Sequence, residues 1–461
     1  MSAATLYWAP SAYVDGAWQD GVELAVGRDG CWTSIRSGVA RQDTAIDTRG
    51  PVVAPLVDAH SHAFQRAMAG LAERRHAGED DFWSWRERMY RVALRIAPAQ
   101  LRAIAAQLYV ELLRGGYTQV CEFHYLKRAP DGSDYAEPLA FAHALGDAAE
   151  DAGIGLTILP VVYLRAGFGE PALRDDQRRF RLDADGAWND CRALACSARP
   201  LQNSGVAIHS LRAAAQADIA RLVALVGDAD VPIHVHVAEQ VREVEDCFAA
   251  TGRRPIAALC HDHPVDRRWH LVHATHATRS EIDNVARAGA SVVLCPGTEA
   301  NLGDGLCDLP GWLAAGVPWS IGSDSQVTRG WLEELRWLEY GQRLALRQRN
   351  VGAEPERRPA TAARLYEDAL SGGAPAAGFS AWGLCVGGRA DFLVLDTASD
   401  ALLGIPAGRT LDAAVFSSPA QPIRDVHVAG RCVIRDGRHA QGERIAHAFA
   451  RALQELASDT A

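Results

Sequence analysis

PVVAPLVDAHSH (51–62) begins as an almost unbroken apolar run and ends on two histidines, His60 and His62. A short apolar run of this kind fits a strand buried on both faces, as in a parallel sheet covered by helices. The design recurs seven times: YTQVCEFHY (117–125), IGLTILPVVYLR (154–165), GVAIHSLR (205–212), VPIHVHVAE (231–239), HLVHATH (270–276), ASVVLCPGTEAN (290–301) and VPWSIGSDSQ (317–326). Each run closes on polar residues, and helical segments lie between the runs. Eight strands alternating with helices predict an α/β fold, a (β/α)8 TIM barrel, in which the C-terminal strand ends form the active-site face.

Working outward, PAQLRAIAAQLYVELLRGG (98–116), AQADIARLVALV (215–226) and RGWLEELRWLEYGQRLALRQ (329–348) carry apolar residues at helical spacing and read as packing helices. Before the barrel, VDGAWQDGVELAVGRDGCWTSI (14–35) is broken by Gly and Asp turn signals into short strands. After it, RADFLVLD (389–396), AAVFSS (413–418) and IRDVHVAGRCVIRDGRH (423–439) give a second set. We therefore expect residues 1–52 and 385–461 to build one small β-sandwich from both termini, around a barrel domain at 53–384. The amphipathic ERIAHAFARALQELA (443–457) would cap the fold or meet another subunit.

The 461 residues suit a barrel of roughly 250 residues plus a smaller domain. A net charge of −10 with no basic run argues against a nucleic-acid or anionic-membrane surface and favours small-molecule chemistry. Ten cysteines without a CxxC pair, an N-terminus without a basic-then-apolar leader and no run of ~20 apolar residues predict a cytoplasmic protein with reduced thiols and no membrane span.

His60 and His62, at positions i and i+2 of an extended chain, project to the same side and can grip one metal ion. Alone, the pair is weak evidence and reads more readily as surface or satisfied core histidines. It is joined by His234, His236 and Glu239 at the fifth strand, His273 at the sixth and Asp324 at the eighth. Three imidazole nitrogens and one carboxylate oxygen suit zinc or a similar borderline ion, with room left for a water whose pKa falls to about 7.

In order, this set resembles the amidohydrolase superfamily. The resemblance implies His60, His62, His236 and Asp324 as ligands of one Zn2+ per subunit. It makes Glu239 a proton shuttle to the departing nitrogen, Asp324 the acceptor of the water proton, and His273 the group that steadies the nucleophile. His234 faces the barrel interior and stays open as an alternative ligand. Relatives with two metals bridge them by a lysine on strand four, but the only lysine here is Lys127, just after strand two.

More narrowly, HSHAFQRAMAG (60–70), DFWSWRERMY (81–90) and HSLRA (209–213) resemble the formimidoylglutamate deiminase family, which converts N-formimidoyl-L-glutamate and water into N-formyl-L-glutamate and ammonia. That resemblance implies Gln65 near the reacting group, Arg212 and His209 on carboxylate oxygens, and Tyr125 and Arg86 assisting. A dianionic, small-molecule dicarboxylate calls for such cationic donors, and an arginine fork matches a carboxylate in two-point geometry. For Arg86 a solvated helix position, and for Gln65 and Tyr125 ordinary packing, remain the plain alternatives. His124, Cys121 and Cys295 read as structural. The family also implies a homodimer. A deaminase of guanine-like heterocycles, sharing the metal and Glu239, and a scaffold barrel without catalysis are the rival readings.

Overall fold

A computed structural model describes residues 5–75, 81–417 and 419–458. Its centre is a barrel of eight parallel strands: Leu56–Ser61, Tyr117–His124, Gly155–Val162, Val206–Ser210, Ile233–Val237, Trp269–His273, Ser291–Leu294 and Trp319–Ile321. All eight are the predicted strands, numbered here one to eight. Almost every residue in them is buried, because helices cover the outside and side chains fill the inside. The barrel closes between strands eight and one through a parallel bridge at Ser61 and Asp324, where the Asp324 amide donates to the His60 carbonyl at 2.9 Å. Gly322 makes that seam possible: a Cβ there would stand 2.6 Å from the His60 Cβ.

The N-terminal ends of the strands are sealed by the helix Thr361–Ala376. Gly372 lets it approach, since a Cβ at that position would meet the Trp319 carbonyl oxygen at 1.9 Å. The carbonyls at its end then accept bonds from inward side chains of the barrel: His234 Nε2 to Ala376 at 2.8 Å, Cys121 Sγ to Ala376 at 3.4 Å and Thr157 Oγ1 to Ala377 at 3.2 Å.

Both termini enter a second, mixed sheet. Phe392–Leu395 pairs antiparallel with Val52–Val53, which in turn pairs with Thr5–Val14, and the hairpins Ala17–Val26 with Trp32–Arg36 and Ile423–Val428 with Arg431–Arg435 extend the two sides. Val52–Val53 runs directly into strand one, so the sheet and the barrel share a continuous core.

One predicted strand is a helix. AAVFSS lies mostly in Thr410–Phe416, with Ser418 outside the described residues. Leu411, Ala414 and Val415 are buried at helical spacing, and the two alanines favour a helix over a strand. Strand seven is also shorter than its apolar run: Pro296 starts the helix Pro296–Leu302, which takes up GTEAN. The terminal helix Gly442–Ser458 packs on Pro98–Arg114, and Arg95 Nη1 donates to the Leu456 carbonyl at 2.7 Å. No helix among the described residues is long and apolar enough to cross a membrane.

Candidate metal centre and active site

At the C-terminal mouth, barrel closure brings His60 and His62 of strand one against the loop after strand eight. Asp324 Oδ1 stands 3.3 Å from His60 Nε2 and 3.4 Å from His62 Nε2, and His236 Nε2 is 3.0 Å from His60 Nε2. These separations are close to the edges, about 3.3 Å, of a tetrahedron with metal–nitrogen bonds near 2.0 Å. The far sides of two rings are anchored: His62 Nδ1 lies 3.1 Å from the Phe123 carbonyl and His236 Nδ1 2.9 Å from that of His209. A carbonyl accepts the proton on Nδ1, so each Nε2 turns its lone pair inward, as a metal ligand requires. Burial pushes the His60 imidazole down to about 3 and lowers His62 and His236 as well, so all three rings are neutral. Asp324 is driven by burial in the opposite direction, but the hydrogen bond with His60 and the nearby histidines hold it well below the usual carboxylate range. Neutral imidazoles around an ionised carboxylate are the donor set of a divalent ion such as zinc.

Two buried carboxylates frame the histidine pair. Asp58 accepts from the Ser323 amide at 2.9 Å and its hydroxyl at 2.6 Å, tying strand one to strand eight. Glu122 accepts from the Ala63 amide at 2.7 Å and the Ser61 hydroxyl at 3.1 Å. Burial pushes them up to about 7 and about 8.

His273 is the hub of the proton-handling groups. Its Nε2 lies 3.6 Å from Glu239 Oε1 and 3.9 Å from Asp324 Oδ2, and its Nδ1 lies 3.6 Å from Glu299 Oε1. Burial alone would lower its pKa, but the three carboxylates outweigh burial and push it up to about 10. Glu239 is pushed by burial up to about 7, against the pull of His273 and Arg212. It follows a bend whose amides, Ala238 and Glu239, donate to the two oxygens of Glu243 at 3.1 and 3.0 Å. Ala238, His273 and Asp324 all have positive φ, at 52°, 70° and 47°. Left-handed backbone at non-glycine residues costs of order 1 kcal/mol or more each and persists where packing fixes it, typically at functional sites.

Beside this cluster a small cavity of about 40 Å³ is lined by His62, Gln65, Arg86, Tyr125, His209, Arg212, Glu239, His273 and Asp324, with Phe82, Trp85, Met89, Tyr90 and Leu302 closing it. All five residues expected to hold substrate therefore face the same space as the metal cluster. Arg86 lies on the helix Phe82–Ala93, which folds over the mouth, so it is not the solvated position that its sequence context also allowed. Arg212 is 7% exposed, and its Nε and Nη1, like Arg86 Nε, have no hydrogen-bond partner among the described residues. Gln65 Nε2 reaches the Tyr125 hydroxyl at 3.4 Å, leaving Gln65 Oε1 unpartnered. His209 sits edge-on to Tyr163 at 4.4 Å.

His234 turns away from this cluster to the Ala376 carbonyl and does not join it. Lys127 pairs with Asp190 elsewhere. Sequence reasoning missed Asp58, Glu122, Glu243 and Glu299, buried acids in or shortly after barrel strands. An acid embedded in an apolar run, as Glu122 is in VCEF, was the available signal.

Residues 52–433 match the family model described as Amidohydrolase family. The chain is 45% identical over 450 residues to a formimidoylglutamate deiminase of Pseudomonas aeruginosa, covering 97% of this chain and 99% of that one. Its structure matches that of an amidohydrolase from Brucella melitensis with a TM-score of 0.92 and 42% identity, covering 98% of this chain and 99% of the other. An adenosine deaminase from Xanthomonas campestris, solved with bound zinc, shares the fold with a TM-score of 0.80 at 22% identity over 99% of each chain. Matched along most of its length by the family model and over nearly its whole length by a close relative, the chain belongs to the amidohydrolase family.

Proposed function

We propose that this protein hydrolyses N-formimidoyl-L-glutamate to N-formyl-L-glutamate and ammonia, with one zinc ion per subunit held by His60, His62, His236 and Asp324. The observation that carries the reading is the pocket beside the metal cluster, where Arg86 and Arg212 keep guanidinium nitrogens unpartnered next to His209, Tyr125 and Gln65. Buried guanidinium N–H groups without hydrogen-bond acceptors are costly, and a bound dicarboxylate removes that cost by supplying acceptor oxygens. The full-length relative named as a formimidoylglutamate deiminase supports the same substrate.

A zinc ion held by these four residues would supply Lewis acidity at neutral pH. The chain's residues do the rest. Asp324, ionised and with Oδ2 facing His273, accepts the proton of the attacking water. Protonated His273 donates from Nε2 and steadies the developing negative charge. Attack on the formimidoyl carbon gives a tetrahedral adduct. Glu239, pushed up to about 7, relays both protons of the water to the departing nitrogen, the first by way of Asp324 and the second from the adduct hydroxyl, which closes to the formyl C=O as the C–N bond breaks and ammonia leaves. Arg212 with His209, and Arg86 with Tyr125, hold the two carboxylates, while Gln65 faces the reacting group.

We further propose a cytoplasmic homodimer, consistent with ten free cysteines, which suit a reducing compartment. Ammonia release from zinc-loaded protein tests the substrate, with N-formimidoyl-L-glutamate set beside other N-formimidoyl amino acids, N-guanidino acids and aminated nucleobases. Turnover of the glutamate derivative is expected. Release from a nucleobase alone would keep the metal cluster and replace the pocket reading with that of a heterocycle deaminase.

A further inference from the structure

Trp83 is surrounded by three arginines from three different elements. The guanidinium carbon of Arg86, on the same helix, lies 4.6 Å from the indole centroid. That of Arg212, after strand four, lies at 5.2 Å, and that of Arg242, on the helix Val241–Thr251 after strand five, at 4.9 Å. Arg242 has a carboxylate nearby, Asp246 Oδ2 at 3.7 Å. Arg86 and Arg212 have no ion pair among the described residues, and both keep an unpartnered Nε.

Three like charges around one side chain need a reason. The negative face of an indole attracts a cation, most strongly where water is excluded, so Trp83 offsets part of the repulsion while the carboxylate sites stand open. Stacking uses the flat face of a guanidinium, whereas a carboxylate bridge uses its edge N–H groups. An arginine can therefore keep its face on the indole and bind a carboxylate at its edge. Arg86 comes three residues after Trp83, so the two share one side of the helix, and Arg212 reaches the ring from the barrel wall.

We propose that Trp83 is a positioning residue that sets the distance between the two carboxylate-binding arginines, and with it the length of diacid the pocket accepts. The inference rests on the dicarboxylate reading above. It assigns to Trp83 the choice of a five-carbon diacid over a four-carbon one, and makes the ring the pin that fastens the helix Phe82–Ala93 to the barrel wall.

The test is the affinity of the metal-loaded protein and its Trp83→Leu and Trp83→Phe variants for glutarate and succinate, measured by calorimetry, alongside kcat and KM for N-formimidoyl-L-glutamate. Leucine keeps apolar bulk without a π face, and phenylalanine keeps a smaller one. We expect wild type to prefer glutarate. Trp83→Leu should weaken glutarate binding about tenfold and Trp83→Phe about threefold, with succinate binding little changed. KM should rise in parallel while kcat stays within about twofold, since ring and arginines act in binding rather than in bond breaking. A Leu variant that keeps the wild-type glutarate-to-succinate ratio overturns the proposal. Should that variant not fold, as judged by circular dichroism, the Phe variant decides, and unchanged glutarate affinity in it overturns the proposal equally. Wild type that binds neither diacid fails at the dicarboxylate reading itself, a result distinct from a Trp83 variant that leaves selectivity intact.

Discussion

His234 and His236 stand two residues apart on one barrel strand, both buried, and serve opposite ends of the barrel. His236 faces the mouth, where its Nε2 meets His60 and its Nδ1 is tied to a carbonyl. His234 faces the closed end, where its Nε2 bonds to the Ala376 carbonyl and its ring lies 4.8 Å from that of His270. His270 in turn bonds to Ser291 Oγ at 2.6 Å. At the mouth, the Nε2 atoms of His60, His62 and His236 converge with Asp324, backbone is left-handed at three strand ends, and burial raises the carboxyls of Asp58, Glu122 and Glu239 to near neutrality. At the closed end, His234 bonds to a helix terminus and His270 to a neighbouring strand, each through one ring nitrogen, and the other nitrogen of each has no partner among the described residues. The difference teaches that a histidine on a barrel strand acquires a role from the end it faces: at the mouth its nitrogen joins a cluster of convergent ligand atoms, at the closed end it ties its strand to a neighbouring element.

The sharpest way to break this comparison is Glu239→Gln. It should lower kcat by about 10³-fold or more while zinc content by atomic absorption stays at the wild-type level. Near-normal turnover would remove Glu239 from the proton path. Arg212→Met comes next, raising KM for the glutamate derivative about 100-fold through loss of a charge-assisted bidentate contact, with the melting temperature little changed because a buried unpaired charge is removed. A fall in kcat with KM intact would place Arg212 in the chemistry instead.

At the other end, His234→Leu should leave zinc content and KM unchanged yet lose about 1–3 kcal/mol of unfolding free energy in urea, because the Ala376 carbonyl loses its imidazole donor. Loss of zinc from that variant would erase the distinction between the two ends.

The smallest effect calibrates the cost of burying a histidine away from both. His427, in the mixed sheet, stacks on Phe392 at 4.0 Å, and burial pushes its pKa down to about 4. A histidine depressed in the folded state is neutral there, while the unfolded chain takes up a proton below its ordinary value near 6.5. Stability is therefore full above that value and lost as pH falls from about 6.5 towards 4. At pH 5 the loss is about 2 kcal/mol. His427→Phe should flatten the acid side of the melting curve by that amount, and an unchanged pH dependence would show that other groups set it.

Much of this molecule was legible in the residues. The eight apolar runs with polar ends specify strands and their direction, because a strand covered on both faces tolerates polar groups only where it emerges. The spacing His60-x-His62 places both rings on one side of a strand by the period of an extended chain. AAVFSS was misread because six residues with two alanines and a valine carry too short a pattern to separate helix from strand, and only packing against the neighbouring helices decides it.

What the sequence determined by itself is the set of groups and the ends of the strands they occupy. Which of those groups meet is a matter of closure. Gly322 lets strand eight approach strand one until Asp324 stands over His60 and His62, and Gly372 admits the helix whose terminal carbonyl takes His234 out of the cluster. Asp58, Glu122, Glu299 and the cationic ring around Trp83 belong to the tertiary structure in the same way. Their effect depends on exclusion of water and on neighbours distant in the chain, and both exist only once the barrel has closed.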